Sequence, residues 1–219
     1  MGRARPERSP ADLARAARAV GVRDGRLLEA IASVPRAAFV PPMAAEQAYA
    51  DEPIPIPHGQ VTTQPSLSAA MIDALGLTGA ERVLEIGTGY GYQTALLARL
   101  ATGVVSVEIW PDLAEAAERH LAAQGVRNVR VVAGDGSGGW EPGAPYDAVI
   151  VSAASPEVPA ALIAQLRVGG LLVQPIGPGG DEQVTLFRQT ARGLTRLRSV
   201  TAARFVPLRD RSAFPHRPD

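Results

Sequence analysis

Glu85-Ile86-Gly87-Thr88-Gly89-Tyr90-Gly91 is a glycine-rich loop with a strand on one side and a helix on the other. Residues 82–86 make a short apolar run of strand length, and 93–100 read as the helix. Glycines at such a joint permit a tight turn and let a ligand touch the backbone. In open α/β sheets nucleotides bind at the carboxyl end of the first strand.

Downstream of this loop, strand and helix alternate. Strands are expected at 104–108, 129–132, 146–152 and 171–176, and helices at 111–124 and 158–166, the first with a proline in its opening turn. This βαβ spacing predicts an α/β, Rossmann-like, doubly wound and mainly parallel sheet covered on both faces. Two later runs, 183–188 and 197–206, have strand composition. The short connection at Arg192-Gly193 predicts an antiparallel C-terminal hairpin.

Upstream, 1–9 read as a loose arm. Ser9-Pro10 opens a helix, with Asp12 at its positive end and an apolar stripe of Leu13, Ala16, Ala17 and Val20. A second helix is expected over 25–33, a rigid extended run over 34–42, a proline-rich ordered loop over 51–65 and another helix over 66–75. The whole reads as one domain, 1–219. It divides into an N-terminal helical and substrate-loop segment (1–80), a cofactor-binding core (81–180) and a C-terminal hairpin and tail (181–219).

Three carboxylates at strand ends narrow the ligand. The dinucleotide fingerprint is G-x-G-x-x-G, whereas the third glycine here comes one residue early. Glu85 suits a pyrophosphate poorly and suits the ammonium and sulfonium charges of S-adenosylmethionine. Glu108 ends the second strand about 20 residues on, where a carboxylate accepts hydrogen bonds from ribose hydroxyls, and it fits NAD equally. Gly134-Asp135-Gly136 ends the third strand; it reads either as a plain turn or as an adenine site, with Asp135 accepting from the amino group and the glycines admitting the base. Together the three favour an adenosyl cofactor, S-adenosylmethionine ahead of NAD.

Composition bounds the chemistry. The 219 residues carry 22 basic and 22 acidic side chains, so no global field draws nucleic acid or an anionic membrane. Every basic residue is arginine and cysteine is absent, which excludes lysine Schiff bases, thiol nucleophiles and disulfides. Three scattered histidines without cysteine predict no metal site. No apolar stretch is long enough for a membrane span, and the N-terminus lacks the apolar core of a secretory signal. The expected location is the cytoplasm and the expected state a monomer. His58 reads as loop structure, and Tyr92 and Trp140 as core aromatics.

Longer motifs carry a family resemblance. The run 83–95, ending Gly91-Tyr92-Gln93-Thr94-Ala95, resembles the first motif of the protein-L-isoaspartate O-methyltransferase family, with Tyr90 where that family more often has serine. The segments 48–56, Gly59-Gln60-Val61-Thr62-Thr63-Gln64-Pro65, 134–140, 145–154 and Arg204-Phe205-Val206-Pro207-Leu208 resemble its other signatures, so the likeness runs from about 34 to 208. It implies methyl transfer from S-adenosylmethionine to the free carboxylate of L-isoaspartyl residues in damaged proteins or peptides. The ester then closes to a succinimide, which initiates repair. It further implies a cofactor set of Glu85, Gly87, Thr88, Gly89, Gly91, Gln93, Glu108, Ile109, Asp135 and Gly136, with Thr63 as the catalytic residue. The substrate set is Thr62, Thr63, Gln64, Ser152, Ala153 and Ala154. Thr63 stands where the family has serine, keeping the hydroxyl and adding a methyl. A different peptide or small-molecule acceptor, an NAD oxidoreductase and a non-catalytic cofactor-binding module are the competing readings.

Overall fold

The computed structural model describes residues 8–177 and 180–209; most of the expected N-terminal arm, and His216, lie outside them. Three helices come first or flank the crevice: α1 (Pro10–Ala19), α2 (Gly25–Ser33) and α3 (Pro65–Ala74). Ser9 caps α1 through a capping box, its side chain meeting the N3 backbone while Asp12 reaches back to the Ser9 backbone at 2.8 Å. Asp24 caps α2 by accepting from the Arg26 backbone at 2.9 Å.

Between α2 and α3 the expectation of an extended run over 34–42 is corrected. Arg36–Phe39 and Pro42–Gln47 are 3-10 helices. Pro35 stands at the cap of the first and Pro42 in the opening turn of the second, positions where proline's fixed φ suits a helical turn and no N–H is needed. The loop over 51–65 is ordered as expected, but it contains a small hairpin, β1 (Pro55–Ile56) and β2 (Gln60–Val61).

The core sheet begins with β3 (Arg82–Ile86), followed by α4 (Tyr92–Leu100), β4 (Gly103–Glu108), α5 (Pro111–Ala123), β5 (Val129–Ala133), β6 (Tyr146–Val151), α6 (Ala160–Gln165), β7 (Leu166–Ile176), β8 (Glu182–Thr190) and β9 (Gly193–Ala203). Strand order is β5-β4-β3-β6-β7-β8-β9. The first five strands are parallel, and β8 and β9 join antiparallel. This is the expected Rossmann-like architecture. Two details differ. β7 starts at Leu166, so α6 is shorter than expected; the chain turns from helix to strand at once, and a register shift between Tyr146 and Ala148 absorbs the extra residues. β9 ends at Ala203, before Phe205 and Val206. There the tail leaves the sheet: the Phe205 N–H donates to Glu182 at 3.1 Å, and Ala154 exchanges backbone hydrogen bonds with Val206 and Leu208.

Strand alternation sets what each side chain meets. Val83 packs into the layer built by α1 to α4, while Leu84 and Ile86 face the opposite layer with Leu162 of α6. Among the described residues no helix is long and apolar enough to cross a membrane, and no three His, Asp or Glu side chains gather as a metal site.

Candidate active site

The carboxyl ends of β3 and β4 open into a crevice. Its floor is the glycine loop. Gly87 and Gly89 have φ of +93° and +55°, which bends the loop so that bare backbone faces the cavity. Gly91 also has positive φ, +92°, which a side chain would strain, although a Cβ there would make only ordinary contact with Leu121 and Ala117.

Glu108 stands at the end of β4, nearly buried. Its Oε2 accepts from the Gly89 N–H at 2.8 Å and its Oε1 from the Trp110 N–H at 3.1 Å. Burial raises its pKa, and those backbone donors oppose the rise. Thr88, Gln93 and Ile109 share the wall. Gln93 is the telling side chain. Its Nε2 donates to Ser152 Oγ at 2.7 Å and to Glu85 at 3.0 Å, and its buried Oε1 has no partner among the described residues. This buried, unpaired acceptor belongs to a residue of the crevice wall and would be satisfied by a group with donors only, such as the ammonium of S-adenosylmethionine.

Glu85, expected near the cofactor's charges, stands behind the crevice wall. The alternation that sends Ile86 one way sends Glu85 the other, beneath α4, where it is wholly buried. It accepts from Thr94 Oγ1 (2.5 Å), Ser106 Oγ (2.6 Å) and Gln93. Burial pushes its pKa up to about 7 against those three hydrogen bonds. Glu85 is thus bonded to Gln93, and through Ser106 to Thr88, which Ser106 meets at 2.6 Å.

Asp135 stands just past the end of β5. Its Oδ1 accepts from the Ser137 N–H (2.8 Å) and Oγ (2.6 Å), capping the short turn Gly136–Gly138, and only Gly136 joins the wall. A Cβ on Gly136 would fall 2.4 Å from Ile86 Cγ2. Ile86 is β-branched, buried and unable to yield, so Gly136→Ala is expected to cost about 1–3 kcal/mol of stability. Urea unfolding checks this, and a cost below the lower bound would show that the strand end relaxes.

A second groove, about 1480 Å³, runs between α3 and β9 and meets the crevice. Thr62, Thr63, Ser152 and Val206 line both openings. The two threonines differ. Thr62 Oγ1 accepts from Arg36 (2.9 Å) and from the Ile54 N–H (3.0 Å), so it anchors the loop and is not set aside for an acceptor. Thr63 is half-buried at the junction itself. Gln64 faces the second groove alone and ties the loop to Asp51 at 2.9 Å. Ala153 lines the crevice. Ala154 lines neither opening, because its backbone is committed to the tail.

Sequence reasoning missed Arg36 and Asp51, which hold the loop, and Ile56 and Gln60, which wall the crevice. Their motifs were noticed, but only contacts give them roles. Tyr92 is buried against Phe39, with ring centroids 6.1 Å apart, and Trp140 lies under Arg130.

The family model for protein-L-isoaspartate(D-aspartate) O-methyltransferase matches residues 8–213. The chain belongs to that family. A protein-L-isoaspartate O-methyltransferase of Anaeromyxobacter dehalogenans (strain 2CP-C) is 51% identical over 191 residues, covering 86% of this chain and 91% of its own. A solved structure named protein-L-isoaspartate O-methyltransferase superposes with a TM-score of 0.81 at 30% identity, over 90% of this chain and 65% of that one. A putative family member from Plasmodium falciparum, solved with S-adenosyl-L-homocysteine, gives a TM-score of 0.78 over 93% of this chain and 99% of its own; at 20% identity it supports the fold. The chain is thus an S-adenosylmethionine-dependent protein carboxyl O-methyltransferase.

Proposed function

We propose that the family's reaction, methylation of the free carboxylate of L-isoaspartyl residues, takes place where the crevice meets the groove, with Thr63 as the residue that positions that carboxylate. The observation that carries this is the junction: Thr63 and Ser152 border both openings, so one ligand in each would meet there. Bound S-adenosylmethionine supplies a sulfonium-activated methyl group and leaves as S-adenosylhomocysteine. The chain's own residues have little chemistry to add. A carboxylate with a pKa of about 3.9 is ionised at neutral pH, so no general base is needed and no proton moves. What the protein contributes is placement. Gly87, Gly89 and Gly136 give backbone surface, Glu108 and Gln93 give acceptors, and Thr63 gives a donor to the acceptor carboxylate. The groove's border with β9 and the tail suits an extended peptide held in part by backbone contacts.

Thr63→Val removes that donor while keeping the shape. It is expected to lower kcat/KM for an isoaspartyl peptide by about 10- to 100-fold, the worth of a hydrogen bond to a charged group, while Thr63→Ser retains activity. Affinity for S-adenosylhomocysteine should not move. Native turnover in the valine variant would remove Thr63 from the mechanism. Comparing an isoaspartyl peptide with its aspartyl isomer tests the acceptor; equal rates would point to a different carboxylate substrate. The same reading makes the protein a cytoplasmic monomer, which fractionation and sedimentation check.

A further inference from the structure

We propose that His58 is a positioning residue for the cofactor: it fastens the β1–β2 hairpin across the crevice and so sets how long S-adenosylmethionine and its product stay bound. This rests on the reading of that crevice as the cofactor site.

The hairpin is a strap with two ends. At its base, Thr62 ties it to Arg36 and to Ile54. At its tip, the His58 ring stacks on Trp110, with centroids 3.9 Å apart and planes 4° apart. The His58 Nε2 lies 2.9 Å from both carboxylate oxygens of Asp112. This contact holds Asp112 below the usual carboxylate range, with the His58 hydrogen bond as the main cause. Between the two ends lie Ile56 and Gln60, both in the crevice wall. Ile56 Cδ1 stands 3.6 Å from where a Cβ on Gly89 would sit, so the strap covers the glycine floor.

Three observations single out the tip. First, the strands pair over only two residues each, and so short a hairpin does not hold itself closed. Second, His58 is the one non-glycine among the described residues at positive φ, +62°, a strained conformation that persists where surrounding contacts fix it. Third, its partners lie just beyond Glu108, whose Oε1 already accepts from the Trp110 N–H. The latch therefore joins the strap to the segment that carries the crevice's own carboxylate. Neither His58 nor Trp110 lines the crevice or the acceptor groove, so the latch acts through the strap, whose Ile56 and Gln60 wall the crevice alone and whose Val61 borders both openings.

The test uses the full chain and S-adenosylhomocysteine. His58→Gly suits the positive φ and removes only the ring, so the fold is not strained by it. His58→Phe keeps the stack and loses the bond to Asp112. Release of S-adenosylhomocysteine is followed by stopped flow, and KM is measured separately for S-adenosylmethionine and for an isoaspartyl peptide. Release from His58→Gly is expected to be about tenfold faster, from loss of the ring stack and its hydrogen bond, with KM for S-adenosylmethionine raised to match and peptide KM raised less. His58→Phe should fall between the two. Native release rates in His58→Gly, or a rise confined to peptide KM, would overturn the latch. Failure of the native protein to bind S-adenosylhomocysteine would instead overturn the reading of the crevice.

Discussion

Arg36→Met is expected to destabilise the protein by about 3–5 kcal/mol and to abolish most methyl transfer. Arg36 is wholly buried, and among the described residues no carboxylate is bonded to it. Its Nη1 donates to the carbonyls of Ala48 (3.0 Å) and Ala50 (2.9 Å), and its Nη2 to the carbonyl of Glu52 and to Thr62 Oγ1, both at 2.9 Å. Burial pulls the guanidinium down to about 10, with Tyr92 and Asp51 opposing, so it stays charged at neutral pH. One side chain thus satisfies four acceptors spread over residues 48–62. Methionine fills similar space and donates nothing, and each acceptor left buried and unpaired costs about 1–3 kcal/mol before relaxation. Against a total stability of about 5–15 kcal/mol this is a large fraction. Thr62 would lose one of its side-chain anchors and keep those to Ile54, so the adjoining Thr63 would be held less firmly at the junction. Lysine should recover only part, since a point charge with three donors does not reproduce the fork. Urea unfolding and methyl-transfer assays measure both effects. A loss below 1 kcal/mol would mean that water replaces the guanidinium.

Glu85→Gln is expected to change the pH dependence of stability by about 3 kcal/mol between acid and neutral pH. The folded pKa of Glu85 is about 7 and its ordinary value 4.5. Between those two values the folded chain holds a proton that the unfolded chain has released. The favourable contribution is therefore complete below pH 4.5, declines as pH rises and is gone once pH has passed 7. Glutamine resembles the protonated acid and cannot titrate. The difference in unfolding free energy between native and variant should thus slope across this window and be flat outside it. Asp24, Glu81 and Asp112, whose pKa values are lowered, act in the opposite sense, but they are common to both proteins and cancel in the difference. A flat difference would mean that the folded pKa of Glu85 equals its unfolded value.

Much of the fold was legible because it rests on short-range pattern. The strand, glycine loop and helix at 82–100 are marked by hydrophobic run, glycines and helical spacing, and each appears where read, within a residue. The errors fall where distant contacts win. The run 34–42 looked extended because it is rich in proline, yet it winds into 3-10 turns that bring Arg36 into the interior. β7 extends back to Leu166 because β6 offers it a partner, which the local sequence does not announce.

The site divides in the same way. Residue type and position along the chain determined the cofactor class, the place of the glycine floor and the family, since these depend on which groups end which strand. The tertiary structure alone decided direction. Glu85 and Asp135 stand at the expected strand ends, but one is turned under α4 by the two-residue period of a strand and the other is drawn into capping its own turn. Of two adjacent threonines, one is taken up by a buried arginine 26 residues away in sequence and the other is left at the junction. A carboxylate or hydroxyl has one place in the chain but several possible partners, and only the packed fold determines which of them it meets.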